Sequence, residues 1–260
     1  MDQEARLTVR LLKGIVFAAF IALTVSLLLD GSANGRAAQK TSSNSQTASA
    51  QSDSRERFDF LVRADFFAGF AGDQAALDRA MKVCEDTLVK NPNHAEALVW
   101  HGGGLVFRAG QAFTRSDIRT GTELWDKGLA EMDRAVELSP NSVGVLIPRG
   151  ASLLTVSRFV PDKATSRSLL EKGIGDYEKV LEIQKPYFSK LSSHARSELL
   201  IGLAEGWARL GNNDKAKVYF QRIVNECKDS ARSPQAAAWL EKGTLSGTDP
   251  MSCTGCHTKK

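Results

Sequence analysis

Cys253, Thr254, Gly255, Cys256 and His257 spell C-x-x-C-H near the C-terminal end of a 260-residue chain. Two thiols at this spacing can each form a thioether to one vinyl group of a haem, and the adjacent imidazole then lies under the iron as its proximal ligand. The expected cofactor is haem c, attached at Cys253 and Cys256 and ligated by His257. Only Thr258, Lys259 and Lys260 follow, so a haem pocket and a sixth iron ligand are expected from upstream or from a partner. His101 and His194 are the upstream candidates for that ligand. Met251 is too close in sequence to reach the opposite face comfortably, which keeps a five-coordinate, ligand-sensing haem as a further reading.

The same motif has other readings. A zinc site needs two more ligands, and the sequence has no second C-x-x-C. A thioredoxin-like pair needs a strand-to-helix setting, whereas Thr244 to Ser252 contains Gly, Ser, Thr, Asp and Pro. A disulfide, an assembly contact or an unmodified tail stays open.

What precedes the motif speaks to its compartment. Gly14 to Leu29 is a 16-residue stretch without a charge, and Leu11 and Leu12 extend it to 19 if Lys13 snorkels. About 20 residues are needed to cross a bilayer. Arg6, Arg10 and Lys13 come first, so the N-terminus is expected in the cytoplasm and the chain after Asp30 on the far side. Gly31 and Ala33 offer a small-x-small cleavage site, so residues 1–29 are a signal anchor or a signal peptide. Either places the rest in a bacterial-type cell envelope, anchored to the inner membrane or released to the periplasm. Export also supplies the compartment in which haem c is attached.

Asp30 to Arg57 contains no Leu, Ile, Val, Met or aromatic residue. Such a segment cannot bury enough apolar surface to order itself, and 30–57 is expected to be a disordered tether spanning on the order of 30 Å. Lys and Arg total 34 against 30 acidic residues, spread without a dense basic run or interleaved aromatics. That argues against nucleic acid as a partner.

From Phe58 the pattern turns helical and repeats. Ala80, Cys84, Thr87 and Pro92 are spaced as Gly128, Met132, Ala135 and Pro140 are, and each Pro is followed by Asn and, further on, by a small residue, Gly102 or Gly150. Gly173, Tyr177 and Val180 give a third copy with Pro186 one place late. Leu200, Leu203, Ala204, Trp207, Gly211, Ala216, Phe220 and Ile223 give a fourth, with Lys228 in place of the closing Pro. These residues resemble the tetratricopeptide repeat (TPR). The resemblance implies an all-α, TPR-like solenoid of about four irregular helical hairpins over 58–243, followed by the flexible tail 244–260 with its C-x-x-C-H. Pro92 to Pro140 is 48 residues, against roughly 34 for the consensus repeat. Phe113 to Trp125 and Phe159 to Arg167 are therefore expected to be inserts, as longer helices or as loops. Ser233 to Lys242 reads as a terminal capping helix with Ser233 as N-cap and Gly243 as its stop.

A stack of this kind implies a concave face lined by the first helix of each repeat, used to bind protein partners. The resemblance places Glu96, Val99, Gly103, Ile147, Ala151, Leu154, Glu198, Ile201 and Glu205 on it. The set lacks the Lys and Asn residues with which one branch of the family clamps a peptide carboxylate. The same side chains would also suit packing against the inserts.

Cys84 falls on a core position and Cys227 at the end of the fourth repeat, so a solenoid keeps them too far apart for a disulfide. His94 sits in an inter-repeat turn. Gly102, Gly103 and Gly104 suit tight helix packing better than a phosphate loop, since no Lys-Ser or Lys-Thr follows. No nucleophile, base and orienting acid are spaced for catalysis, so no enzyme is expected. Two functions follow: an exported, membrane-tethered interaction module that carries haem c and docks a redox protein, or a haem-free scaffold of the cell envelope.

Overall fold

A computed structural model of the chain describes residues 57–244. The apolar N-terminal segment, the tether up to residue 56, and Cys253, Cys256 and His257 lie outside the described residues. The chain divides into two compact units, Met1–Phe60 and Leu61–Lys260. Of the first, Arg57 to Phe60 are described: the Arg57 guanidinium donates to the Asp59 carboxylate at 3.1 and 3.3 Å.

The described residues form α1 (Asp59–Phe70), α2 (Gln74–Lys90), α3 (Ala95–Thr114), α4 (Ile118–Leu138), α5 (Val143–Val156), α6 (Lys163–Gln184), a 3-10 turn (Lys185–Lys190), α7 (Ser193–Arg209), α8 (Asn213–Glu226) and α9 (Ser233–Lys242). Consecutive helices pair as α1/α2, α3/α4, α5/α6 and α7/α8, with α9 left over as a cap. The turn inside each hairpin is built alike. Asp73, Asp117, Asp162 and Asn212 are N-caps whose side chains accept from the backbone N–H of Ala76, Thr120, Thr165 and Lys215 at 3.0, 3.2, 2.7 and 3.1 Å. Three of the caps follow a residue at positive φ: Gly72, Ser116 and Gly211. In those three, the cap N–H returns to the carbonyl five residues back, on Ala68, Ala112 and Trp207, which closes the preceding helix as a Schellman turn.

Small residues then set how closely the helices pack. A Cβ on Gly102 of α3 would stand 2.6 Å from the Gly128 carbonyl oxygen of α4, and one on Gly128 would stand 2.7 Å from that of Gly102. In the next hairpin a Cβ on Gly173 would lie 3.1 Å from the Gly150 carbonyl oxygen, and Gly150 itself faces the Tyr177 ring. Gly102 and Gly150, expected from the repeat to be contact positions, are therefore the points of closest approach. Second helices pack on the next first helix: Met81 of α2 lies against Gly104 of α3, and Ile174 of α6 against Gly206 of α7. First helices also touch one another, α3 with α5 and α5 with α7. Antiparallel hairpins related in this way make the described domain a TPR-like helical stack. Its repeat positions Ala80, Cys84, Met132, Ala135, Val180, Ala204, Ala216, Phe220 and Ile223 are all buried.

The extra length of the second and third repeats is helix. Phe113 to Trp125 spans the end of α3, a short turn and the start of α4, whose arms close on each other where Phe113 meets Gly121. Phe159 to Arg167 likewise runs through a turn into α6. The capping helix is present, with Trp239 stacked on Phe220 of α8 at 4.4 Å between ring centroids. Its N-cap is Arg232 rather than Ser233, which is the first helical residue and makes no capping bond. Pro234 takes the second helical position, and Gly243, at φ +69°, ends the helix as expected.

Gly102→Ala should destabilise the domain by about 1–3 kcal/mol, because the new methyl meets a backbone carbonyl that cannot move aside. Gly110→Ala on the same helix, where a Cβ would meet nothing within 4 Å, should instead stabilise it by about 0.5–1 kcal/mol. Urea unfolding midpoints of the two variants test the contrast.

Candidate interaction face and histidine sites

Because the first helices lie side by side, much of the expected concave lining is spent on packing. Val99, Leu154 and Ile201 are 1%, 8% and 6% exposed and belong to the core rather than to a groove. Gly103 sits opposite the Ser152 hydroxyl of α5, and Glu96 lies over Gly144 at the start of α5. Ala151 is half-buried against the C-terminal core. Ile147 is an apolar lining residue that stays open, at 37% exposure.

Glu198 and Glu205 are on the expected face, but each is bridged. Arg232, the N-cap of α9, donates to both oxygens of Glu198 at 2.8 and 3.0 Å. Arg158, just after α5, donates to Glu205 at 2.6 Å, and Gln235 of α9 donates to its other oxygen at 2.6 Å. The mildly acidic groove read from the repeats is thus neutralised at its C-terminal end by side chains outside the repeat pattern. Beside this cluster Arg209 donates at 2.8 Å to both the Leu154 carbonyl and the Ser157 hydroxyl, at the C-terminal end of α5, where a cation is favoured. Burial pulls its pKa down to about 10, and the Arg158 charge adds to the effect. Further along, Arg149 of α5 donates to buried Asp176 of α6 at 2.6 and 2.8 Å and to Asp133 of α4 at 2.9 Å, tying three helices. None of these arginines was legible as a site, since their partners lie 16 to 55 residues away.

The three described histidines take different roles. His94 is the N-cap of α3, its Nδ1 accepting from the Ala97 N–H at 3.1 Å. His101 is 5% exposed, with Nδ1 2.6 Å from Glu131 Oε2 of α4 and Nε2 3.7 Å from Glu85 Oε1 of α2. Both ring nitrogens face carboxylates, that of Glu131 mostly buried and that of Glu85 half exposed, so His101 is a helix-to-helix tie and not an iron ligand in waiting. The glycines beside it have the packing role expected of them: Gly104 abuts Met81 and Phe66. His194 is the second residue of α7, its side chain 49% exposed and its Nδ1 3.9 Å from Glu198 Oε1.

Cys84 and Cys227 are both free and buried. Burial pushes the Cys84 thiol up to about 12, with the charges of Glu131 and Glu85 adding to it, and burial raises that of Cys227 too. Neither is a thiolate at neutral pH. Among the described residues no three His, Cys, Asp or Glu side chains are placed to hold a metal ion, and no helix is long and apolar enough to cross a membrane.

No family model and no curated protein matches the chain. Among solved structures it is similar to a thermophilic TPR protein of Thermus thermophilus, with 19% identity, covering 70% of this chain and 81% of that one, at a TM-score of 0.44.

Two outcomes follow from the buried groups. His101→Ala should cost about 1–3 kcal/mol, because Glu131 loses its buried partner, and a double-mutant cycle with Glu131→Gln should show coupling in urea unfolding. In the native protein Cys84 should resist iodoacetamide at mildly alkaline pH and react once urea unfolds the domain, as peptide mass mapping would show.

Proposed function

We propose that the protein is an exported, membrane-tethered interaction module that carries haem c at Cys253 and Cys256, with His257 as proximal ligand, and exchanges electrons with a redox protein docked on its helical hairpins. One observation carries this reading: the C-x-x-C-H run lies downstream, in the same chain, of an apolar segment preceded by Arg6, Arg10 and Lys13. Haem c is attached outside the cytoplasm, so the motif and the export signal each make sense of the other. When attached, the haem supplies reversible one-electron chemistry at its iron. The two cysteines hold it by covalent bonds, so it is not lost by dissociation.

The stacked hairpins supply the docking surface. The part of the first-helix face that bears Glu96, Gly103 and Ile147 is the region assigned to the partner, since among the described residues no arginine bridges it as Arg158 and Arg232 bridge Glu205 and Glu198. The domain is a binding partner in this reading and not an enzyme. Residues 1–29 hold it at the membrane, and the segment 30–57 sets its distance.

The test is expression of the full chain in a host with haem c maturation machinery, beside a Cys253→Ala, Cys256→Ala double variant. The expected result is an intact mass raised by one haem and a sharp reduced α-band, both absent from the variant, with the wild type in the membrane fraction. A colourless protein of unmodified mass would leave the haem-free scaffold. Truncation after Gly243 should then remove the redox signal and retain partner binding.

A further inference from the structure

We infer that Arg209, in the last turn of α7, is the seat of an oxyanion-binding site, with Arg158 beside it, and that its ligand is a carboxylate or a phosphate group. The inference is independent of the haem reading and stands on described residues alone.

A charge taken out of water needs a counter-charge or a full set of hydrogen bonds. Arg149, Arg158 and Arg232 each have a carboxylate, on Asp176, Glu205 and Glu198. Arg209 is different. Among the described residues its side chain donates to the Leu154 carbonyl and the Ser157 hydroxyl, both at 2.8 Å, and to no carboxylate. The carbonyl end of α5 supplies roughly half a negative charge, which offsets part of the guanidinium charge and leaves the rest. These two acceptors take one N–H from each terminal nitrogen, and the other donors of the guanidinium have no acceptor among the described residues.

Glu205, one turn back on α7, is already engaged. Arg158 donates to one of its oxygens and Gln235 to the other, each at 2.6 Å. Burial first, and then repulsion by Arg158, draw the Arg209 pKa down to about 10, against the smaller attraction of Glu205. At neutral pH the group is still charged, so two guanidinium groups share one carboxylate. An incoming oxyanion would balance that surplus. The planar fork of a guanidinium matches two oxygens of a carboxylate or a phosphate. Arg209 is also partly exposed, which leaves it open to an ion arriving from solvent or carried on a partner.

The experiment uses the full chain in a mild uncharged detergent, as wild type, Arg209→Lys and Arg209→Gln, with circular dichroism to confirm that each is folded. Inorganic phosphate and, separately, acetate are titrated at an ionic strength held constant with sodium chloride. Arginine Nε–H signals are followed by proton–nitrogen NMR, and the signal missing from Arg209→Lys is that of Arg209. At least one of the two anions should shift this signal saturably, and the urea midpoint should rise with it in wild type and stay level in Arg209→Gln. Arg209→Lys, which keeps the charge and loses the fork, should respond at concentrations at least about tenfold higher. A response to phosphate alone makes the ligand a phosphate group, and a response to acetate makes it a carboxylate. An Arg209 signal unmoved by both anions would overturn the inference, as would equal shifts in every exposed arginine. So would a urea midpoint that rises as much in Arg209→Gln, because that gain comes from general exclusion of the salt from the surface. If Arg209→Gln does not fold, the wild-type NMR titration decides.

Discussion

The backbones of α3 and α4 meet at Gly102 and Gly128, where a Cβ on either glycine would press on the other's carbonyl oxygen. The other contacts of the stack follow from this close approach. It lets a pair of long helices share a narrow interface, brings Met132 and Val106 into the core, and puts His101 of α3 within hydrogen-bond distance of Glu131 of α4. The approach of Gly150 to Gly173 does the same in the next hairpin, and there it sets Arg149 against Asp176. Overpacking such a contact is costly because the obstructing atom is backbone, with no rotamer to change.

Close packing of first helices has a second consequence. An array of hairpins offers a broad face only where its side chains remain unengaged, and here the face is engaged unevenly. Arg158, Arg232 and Gln235 reach across it and satisfy Glu205 and Glu198. The Arg232 fork on Glu198 is bidentate and largely buried, and such a pair holds more firmly than an exposed one. These contacts also couple the capping helix to the two hairpins before it, so that α9 is held by charge as well as by Trp239. Elsewhere on that face the apolar side chain of Ile147 stays exposed.

Two of the described histidines have structural work in the stack: His94 caps α3 and His101 bridges α3 to α4. His194, on the first turn of α7, is half exposed and lies 3.9 Å from Glu198, which the Arg232 fork ties to the cap.

The hairpin periodicity, the contact glycines Gly102 and Gly150, the burial of Cys84 and the stop at Gly243 can all be read from the residues alone. Each is a local signal: a spacing, a missing Cβ or a residue that tolerates positive φ. The C-x-x-C-H spacing of Cys253, Cys256 and His257 is legible for the same reason, since it resides in five adjacent residues. The fold was needed to find that Val99, Leu154 and Ile201 are core, that Arg232 takes the capping position expected of Ser233, and that His101 is buried while His194 is half exposed. Those outcomes turn on which side chains meet across helices separated by 16 to 55 residues, and a repeat pattern specifies the face a residue shares without specifying what crosses to it.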